Sequence, residues 1–126
     1  MSKKENIHST HITTTPPNVL DGITNTMLSR LSELLEVKGL EYRRNNDPLH
    51  NFNRGVIKSN FKKSREEVIQ GFKLKHEISI EDLKDDIHKG IHVNEAQLFE
   101  KYGDVLIYTI LEMLSLIDKN KLLQDE

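Results

Sequence analysis

One stretch sets the terms on which this chain can fold: Asn94 to Lys119, NEAQLFEKYGDVLIYTILEMLSLIDK. Phe99, Tyr102, Leu106, Ile110, Met113 and Ile117 follow one another at helical steps of three and four. Val105, Ile107, Tyr108 and Leu111 fill the other faces. A helix apolar on nearly every side must be covered on most of them, by its own chain or by a partner subunit. Asn94 is the expected N-cap, and Gln97 three residues on suits a capping box. Glu100 and Asp104 sit one turn apart where this helix passes from polar to apolar.

Two further long helices and one short one are predicted to surround it. The first runs from about Val19 to Lys38, with Leu20, Ile23, Met27, Leu28, Leu31, Leu34 and Leu35 in one stripe. Gly39 is its expected stop, although the pattern allows continuation through Tyr42. A short helix spans about Leu49 to Ser59. Ser64 and Glu67 form a capping box that opens a third helix, closed by Gly90 after Lys89. Its stripe is Ile69, Phe72, His76, Ile80, Leu83 and Ile87. His76 therefore stands at a core position, where an unpaired imidazole would be costly, so a hydrogen-bond partner is expected. The fold class is all-α: a compact helical bundle of three long helices and one short one around the last.

The ends and connections are polar. Residues 1–17, rich in Thr and Ser, lack apolar periodicity and read as a flexible arm before a single helical domain, 18–126. The tail from Asn120 is expected to fray. His88 and His92 are separated by Gly90 and read as loop residues. The segment Glu41 to Phe52, EYRRNNDPLHNF, carries a turn signal at Asn45-Asn46-Asp47-Pro48. Arg43 and Arg44, flanked by Tyr42 and Phe52, are the residue types that hold phosphate and stack a base; they also suit a plain connector with a solvated Arg pair.

Charge excludes some functions. With 18 basic and 20 acidic residues, no one-sign field favours duplex nucleic acid or a membrane surface. No apolar run reaches membrane-span length, and no signal peptide is visible. The absence of Cys removes disulfides and thiolate metal sites and fits a reducing cytoplasm.

Several short motifs together resemble a known family. Lys38-Gly39-Leu40-Glu41-Tyr42, Asp47-Pro48, Asn51-Phe52, Lys75-His76, Ser79, and Glu100-Lys101 with Asp104 and Tyr108 resemble small all-α phage proteins similar to the "nucleotide modification associated" domain of unknown function. The resemblance covers about Leu28 to Ile117. The family pattern has Asn before the final Tyr, where this chain has Ile107, so a polar role at that point is not carried over. The resemblance implies phage origin, a place in the host cytoplasm and a link to nucleotides.

A second similarity is to the all-α NTP pyrophosphatases, which hold magnesium with Glu-x-x-Glu on one helix and Glu-x-x-Asp on the next. Glu33 and Glu36 match the first half, and also fit a solvated face beside the Leu stripe; the second half has no counterpart. Glu41, Glu100 and Asp104 remain a candidate set for a hard cation, for which magnesium is the natural choice.

The reading that follows is a small accessory protein binding a nucleotide or nucleotide-like signal in an inter-helix pocket. Its candidate residues are Glu41, Tyr42, Arg43, Arg44, Asp47, Asn51, Phe52, Lys75 and His76. A magnesium-dependent nucleoside triphosphate hydrolase and a non-catalytic interaction module are the alternatives, so enzymatic status stays open. A homodimer is expected, its contact made by the last helix through Tyr108, Leu111 and Leu114 with part of the first helix.

Overall fold

The computed structural model describes residues 15–42 and 47–124, together with Ile12, and of residues 38–42 only the backbone. Within these residues there are four helices and no strand: α1 (Pro17–Tyr42), α2 (His50–Lys58), α3 (Arg65–His88) and α4 (Glu95–Gln124). The all-α expectation holds, with three long helices and one short. Two helices run longer than expected. Helix α1 continues through Gly39 to Tyr42, and α4 continues past Asn120 to Gln124. The arm lies outside the described residues except for Ile12 and residues 15–17, the last of which already belongs to α1.

The helix ends follow local chemistry. Ser64 accepts from the Glu67 amide while Glu67 reaches back to the Ser64 amide, so the capping box is complete. Gly90, at φ 83°, ends α3. There the Ile91 amide donates to the Asp86 carbonyl and the Gly90 amide to Ile87, the two bonds of a Schellman motif. Asn94 caps α4 through its side chain, which accepts from the Ala96 amide. The end of α2 is less ordinary. Asn60 and Phe61 both adopt positive φ, at 56° and 61°. Asn tolerates that region, but Phe carries a steric cost on the order of 1 kcal/mol there. Phe61 is 75% exposed, so little burial offsets that cost.

Helices α3 and α4 form the main seam, with α1 lying against α4 and α2 against α3. The core joins Leu49, Phe52, Ile69, Ile107, Tyr108 and Leu111, with Leu31, Leu34, Leu35 and Val68 packed around them. On α4 the buried set is Gly103, Asp104, Ile107, Tyr108, Leu111 and Ser115. This corrects the expected division of the last helix. Tyr108 and Leu111, assigned above to a subunit contact, are 5% and 7% exposed and face the chain's own core. Leu114, the third residue assigned to that contact, is 37% exposed, and Tyr102, Leu106, Met113, Leu116, Ile117, Leu122 and Leu123 are the other large apolar side chains of α4 left open. Period alone could not decide which apolar face α3 would cover.

The approach of α2 to α3 depends on Gly55. A Cβ there would stand 2.6 Å from Cγ1 of Val68, a β-branched side chain with little freedom to turn aside. Gly55→Ala is therefore expected to lower stability by about 1–3 kcal/mol through overpacking. Urea unfolding measures the loss, and Val68→Ala in the same chain is expected to restore most of it, giving a favourable coupling in a double-mutant cycle.

Candidate functional site

Near the middle of the α3–α4 seam, three aromatic rings, an imidazole and a carboxylate meet. Phe72 and His76 are one turn apart on α3; Asp104 and Tyr108 are one turn apart on α4. The Tyr108 ring stacks on Phe72 (centroids 6.1 Å apart, planes at 17°) and on His76 (5.5 Å, 24°). Phe52, from α2, stands edge-on to Phe72 at 5.6 Å and to Tyr108 at 6.5 Å. Such arrangements suit the ring quadrupoles. His76 Nδ1 lies 3.2 Å from Asp104 Oδ2, within ion-pair distance.

The group facing His76 is Asp104, as an ion-pair contact rather than the hydrogen bond expected. The imidazole side chain is 25% exposed, so it lies at the edge of the core rather than inside it. Asp104 is buried, where a carboxylate needs such a partner. The contact engages Nδ1 rather than Nε2 and fixes which way the ring faces. An oriented imidazole backed by a carboxylate can recognise a polar edge or move a proton.

The other expected site residues are distributed as follows. The side chains of Glu41 and Tyr42, and all of Arg43 and Arg44, lie outside the described residues. Phe52 is fully buried and has no open face on which a base could stack. Asp47 is used by the backbone: it accepts from the Leu49 amide at 2.9 Å and from Asn53 Nδ2 at 3.2 Å, shaping the entry to α2. Asn51 is half-buried on α2. Lys75 is exposed and borders the groove between α2 and α3. Glu100 points away from the His76 seam into the groove between α1 and α4, which it shares with Glu33 and Arg30. Glu36 does not line that groove. Among the described residues, no three metal-binding side chains converge.

A second polar tie escaped the sequence reading. Arg65 Nε donates to Ser115 Oγ at 2.6 Å, and its other nitrogens bond Asn53 Oδ1, the Ser115 carbonyl and Asp118 Oδ2. The Ser115 hydroxyl donates to Glu66, whose other oxygen accepts from Lys119. Ser115 interrupts the apolar run Met113-Leu114-Ser115-Leu116-Ile117, a weak signal that gains meaning only when Arg65 is placed beside it. Burial pushes the Glu66 carboxyl up, but hydrogen bonds from Lys119 and Ser115 and the nearby positive charges outweigh it and hold the group below its ordinary 4.5.

No family model, curated protein or solved structure matches this chain. The class is set by the molecule itself: an all-α protein with an aromatic, histidine and carboxylate seam. Among the described residues no helix is long and apolar enough to cross a membrane.

Because the Glu66 carboxyl is depressed in the folded state, its ionised form stabilises the fold at pH values above 4.5. That contribution fades as pH falls through the folded value. Glu66→Gln is expected to unfold at lower urea than the parent at pH 7. The gap should narrow steadily below about pH 4.5, as measured by urea midpoints across the acid range.

Proposed function

We propose that this protein binds a nucleotide or nucleotide-like small molecule beside the α3–α4 seam. One observation carries the reading: Phe72, 42% exposed, stacks on Tyr108 next to a partly exposed His76 whose orientation Asp104 holds. A flat ring beside a directional polar group meets the two needs of a base, stacking and edge hydrogen bonding. Lys75 lies one residue from His76, within the same turn as a source of positive charge. The resemblance of these motifs to phage nucleotide-associated proteins supports the same reading and, with it, action in the host cytoplasm. A magnesium-dependent hydrolase is the second reading, favoured by Glu33 and Glu100 lining one groove.

A thermal-shift screen of nucleosides and nucleotides, with and without magnesium, tests both. A bound nucleotide at a hundred times its Kd adds about 2.7 kcal/mol and raises the midpoint by several degrees. Phe72→Ala is expected to weaken that binding by about 1–3 kcal/mol, the worth of one stacked base. Turnover that requires magnesium would establish the hydrolase instead. No shift with any nucleotide would leave a protein-interaction module as the reading.

The same proposal includes a homodimer on the first and last helices as expected, without Tyr108 and Leu111, which the core takes. Leu28 of α1 and Tyr102 and Leu106 of α4 are exposed around an apolar groove of about 520 Å³ that Ile23, Met27 and Phe99 also line. Met113, Leu116 and Ile117 extend the open apolar face along α4. Continuous patches of this kind mark interfaces, and two-fold pairing is the commonest closed arrangement. Light scattering at micromolar concentration should give about twice the 14.6 kDa monomer mass. Leu106→Glu should return it to the monomer value with helicity intact. A parent protein at 14.6 kDa refutes the dimer.

A further inference from the structure

The groove between α2 and α3 has properties that packing does not explain. It holds about 400 Å³ and is lined by Gly55, Lys58 and Ser59 on one side and by Val68, Gly71, Phe72 and Lys75 on the other, with Lys63 and Glu67 at its end. Three lysines against one glutamate leave two net positive charges on a small concave surface. Among the described residues none of the three lysines has an ion-pair partner; the ion pairs join Arg65 to Asp118, His76 to Asp104 and Lys119 to Glu66. The single carboxylate, Glu67, is turned to the helix end, where it accepts from the Ser64 amide. That backbone bond, with the Ser64 hydroxyl and Lys63 nearby, holds Glu67 below its ordinary value despite slight desolvation, so Glu67 stays charged at neutral pH.

Gly71 adds an independent observation. It sits in the interior of a 24-residue helix, where glycine costs about 1 kcal/mol relative to alanine. Nothing lies within 4 Å of where its Cβ would be, so no neighbour demands the glycine. Its effect is to leave room along the groove, one turn from Lys75 and beside the open ring of Phe72. A bulkier residue at position 71 would project into the space the lysines surround.

We infer that the α2–α3 groove is a phosphate-chain site, in which Lys58, Lys63 and Lys75 hold a linear polyphosphate, either free or as the tail of a nucleotide. Lysine ammonium groups act as mobile point charges and suit a flexible chain of phosphates rather than one fixed planar anion. Phe72 borders the groove on one face and joins the His76 seam on the other, which places the tail beside the base position. Only the attachment of a base rests on the nucleotide reading; the phosphate site stands on the groove itself.

Isothermal titration with inorganic triphosphate, ATP and adenosine, at low ionic strength and again at about 0.15 M salt, where the Debye length shrinks to about 8 Å, tests this. Inorganic triphosphate should bind saturably and more weakly as salt rises. The double variant Lys58→Gln/Lys63→Gln alters only exposed side chains and should weaken triphosphate binding by about tenfold or more. Gly71→Leu should block it while raising thermal stability. Tighter binding of ATP than of triphosphate assigns the chain to a nucleotide; equal binding assigns it to free polyphosphate. Triphosphate binding with no adenosine binding and no gain for ATP would sink the base-stacking reading and leave the groove site intact. Absence of triphosphate and ATP binding at millimolar concentration in low salt overturns the inference. Binding that both variants leave within twofold overturns it equally.

Discussion

The structure depends on the register of α3 against α4, and two polar ties set it. His76 meets Asp104, and Arg65 meets Ser115. From 65 to 76 is eleven residues, and from 104 to 115 is eleven residues, about three turns on each helix of an antiparallel pair. The ties therefore repeat on the same face of both helices, roughly 16 Å apart. Ile69, Tyr108 and Leu111 lie between them in the core, with Phe72 stacked on Tyr108. A slip of one turn would separate both polar pairs at once, leaving the buried Asp104 without its partner and stripping the half-buried Arg65 of its bonds to α4. Apolar contacts alone would tolerate such a slip far better.

The two ties differ in what surrounds them. The one at Arg65 is saturated: Asn53, Ser115 and Asp118 occupy the guanidinium, and Lys119 and Ser115 occupy Glu66. It joins α2, α3 and α4 and has the character of a clamp. The one at His76 is a single ion-pair contact between a buried acid and a partly exposed imidazole, set among stacked rings. Fully satisfied polar networks rigidify, whereas an oriented polar group with open capacity is available to a ligand. The candidate site belongs at the second tie for that reason, and the lysine groove runs up to it past Phe72.

Much of the surface that α1 and α4 leave open is apolar. Helix α1 touches α4 along only part of its length, and Leu28, Tyr102, Leu106 and Ile117 stay exposed. Gly103, buried on α4, lets α1 come close at one point, where Leu34 and Met27 lie over it. Elsewhere the groove between the two helices stays open. Two nearby helices and one short one cannot cover a thirty-residue helix that is apolar on nearly every side.

The amino-acid order by itself determined what local forces decide. The Ser64–Glu67 capping box, the Gly90 stop, the Asn94 cap and the stripe from Ile69 through His76 to Ile80 were legible, because caps and periodicity act within a few residues. The need of His76 for a partner was legible too, since burial makes an unpaired imidazole costly. Which partner was not: Asp104 and Glu100 are both acids one turn apart, and only the rotation of α4 about its axis turned the first inward and the second toward α1. That same rotation buried Tyr108 and Leu111 and left Leu106 and Ile117 outside. The tie between Arg65 and Ser115 spans fifty residues, and the lysine groove collects side chains from two helices and their connection. Such features arise when helices choose their facing sides, a choice made by the summed packing of the whole chain.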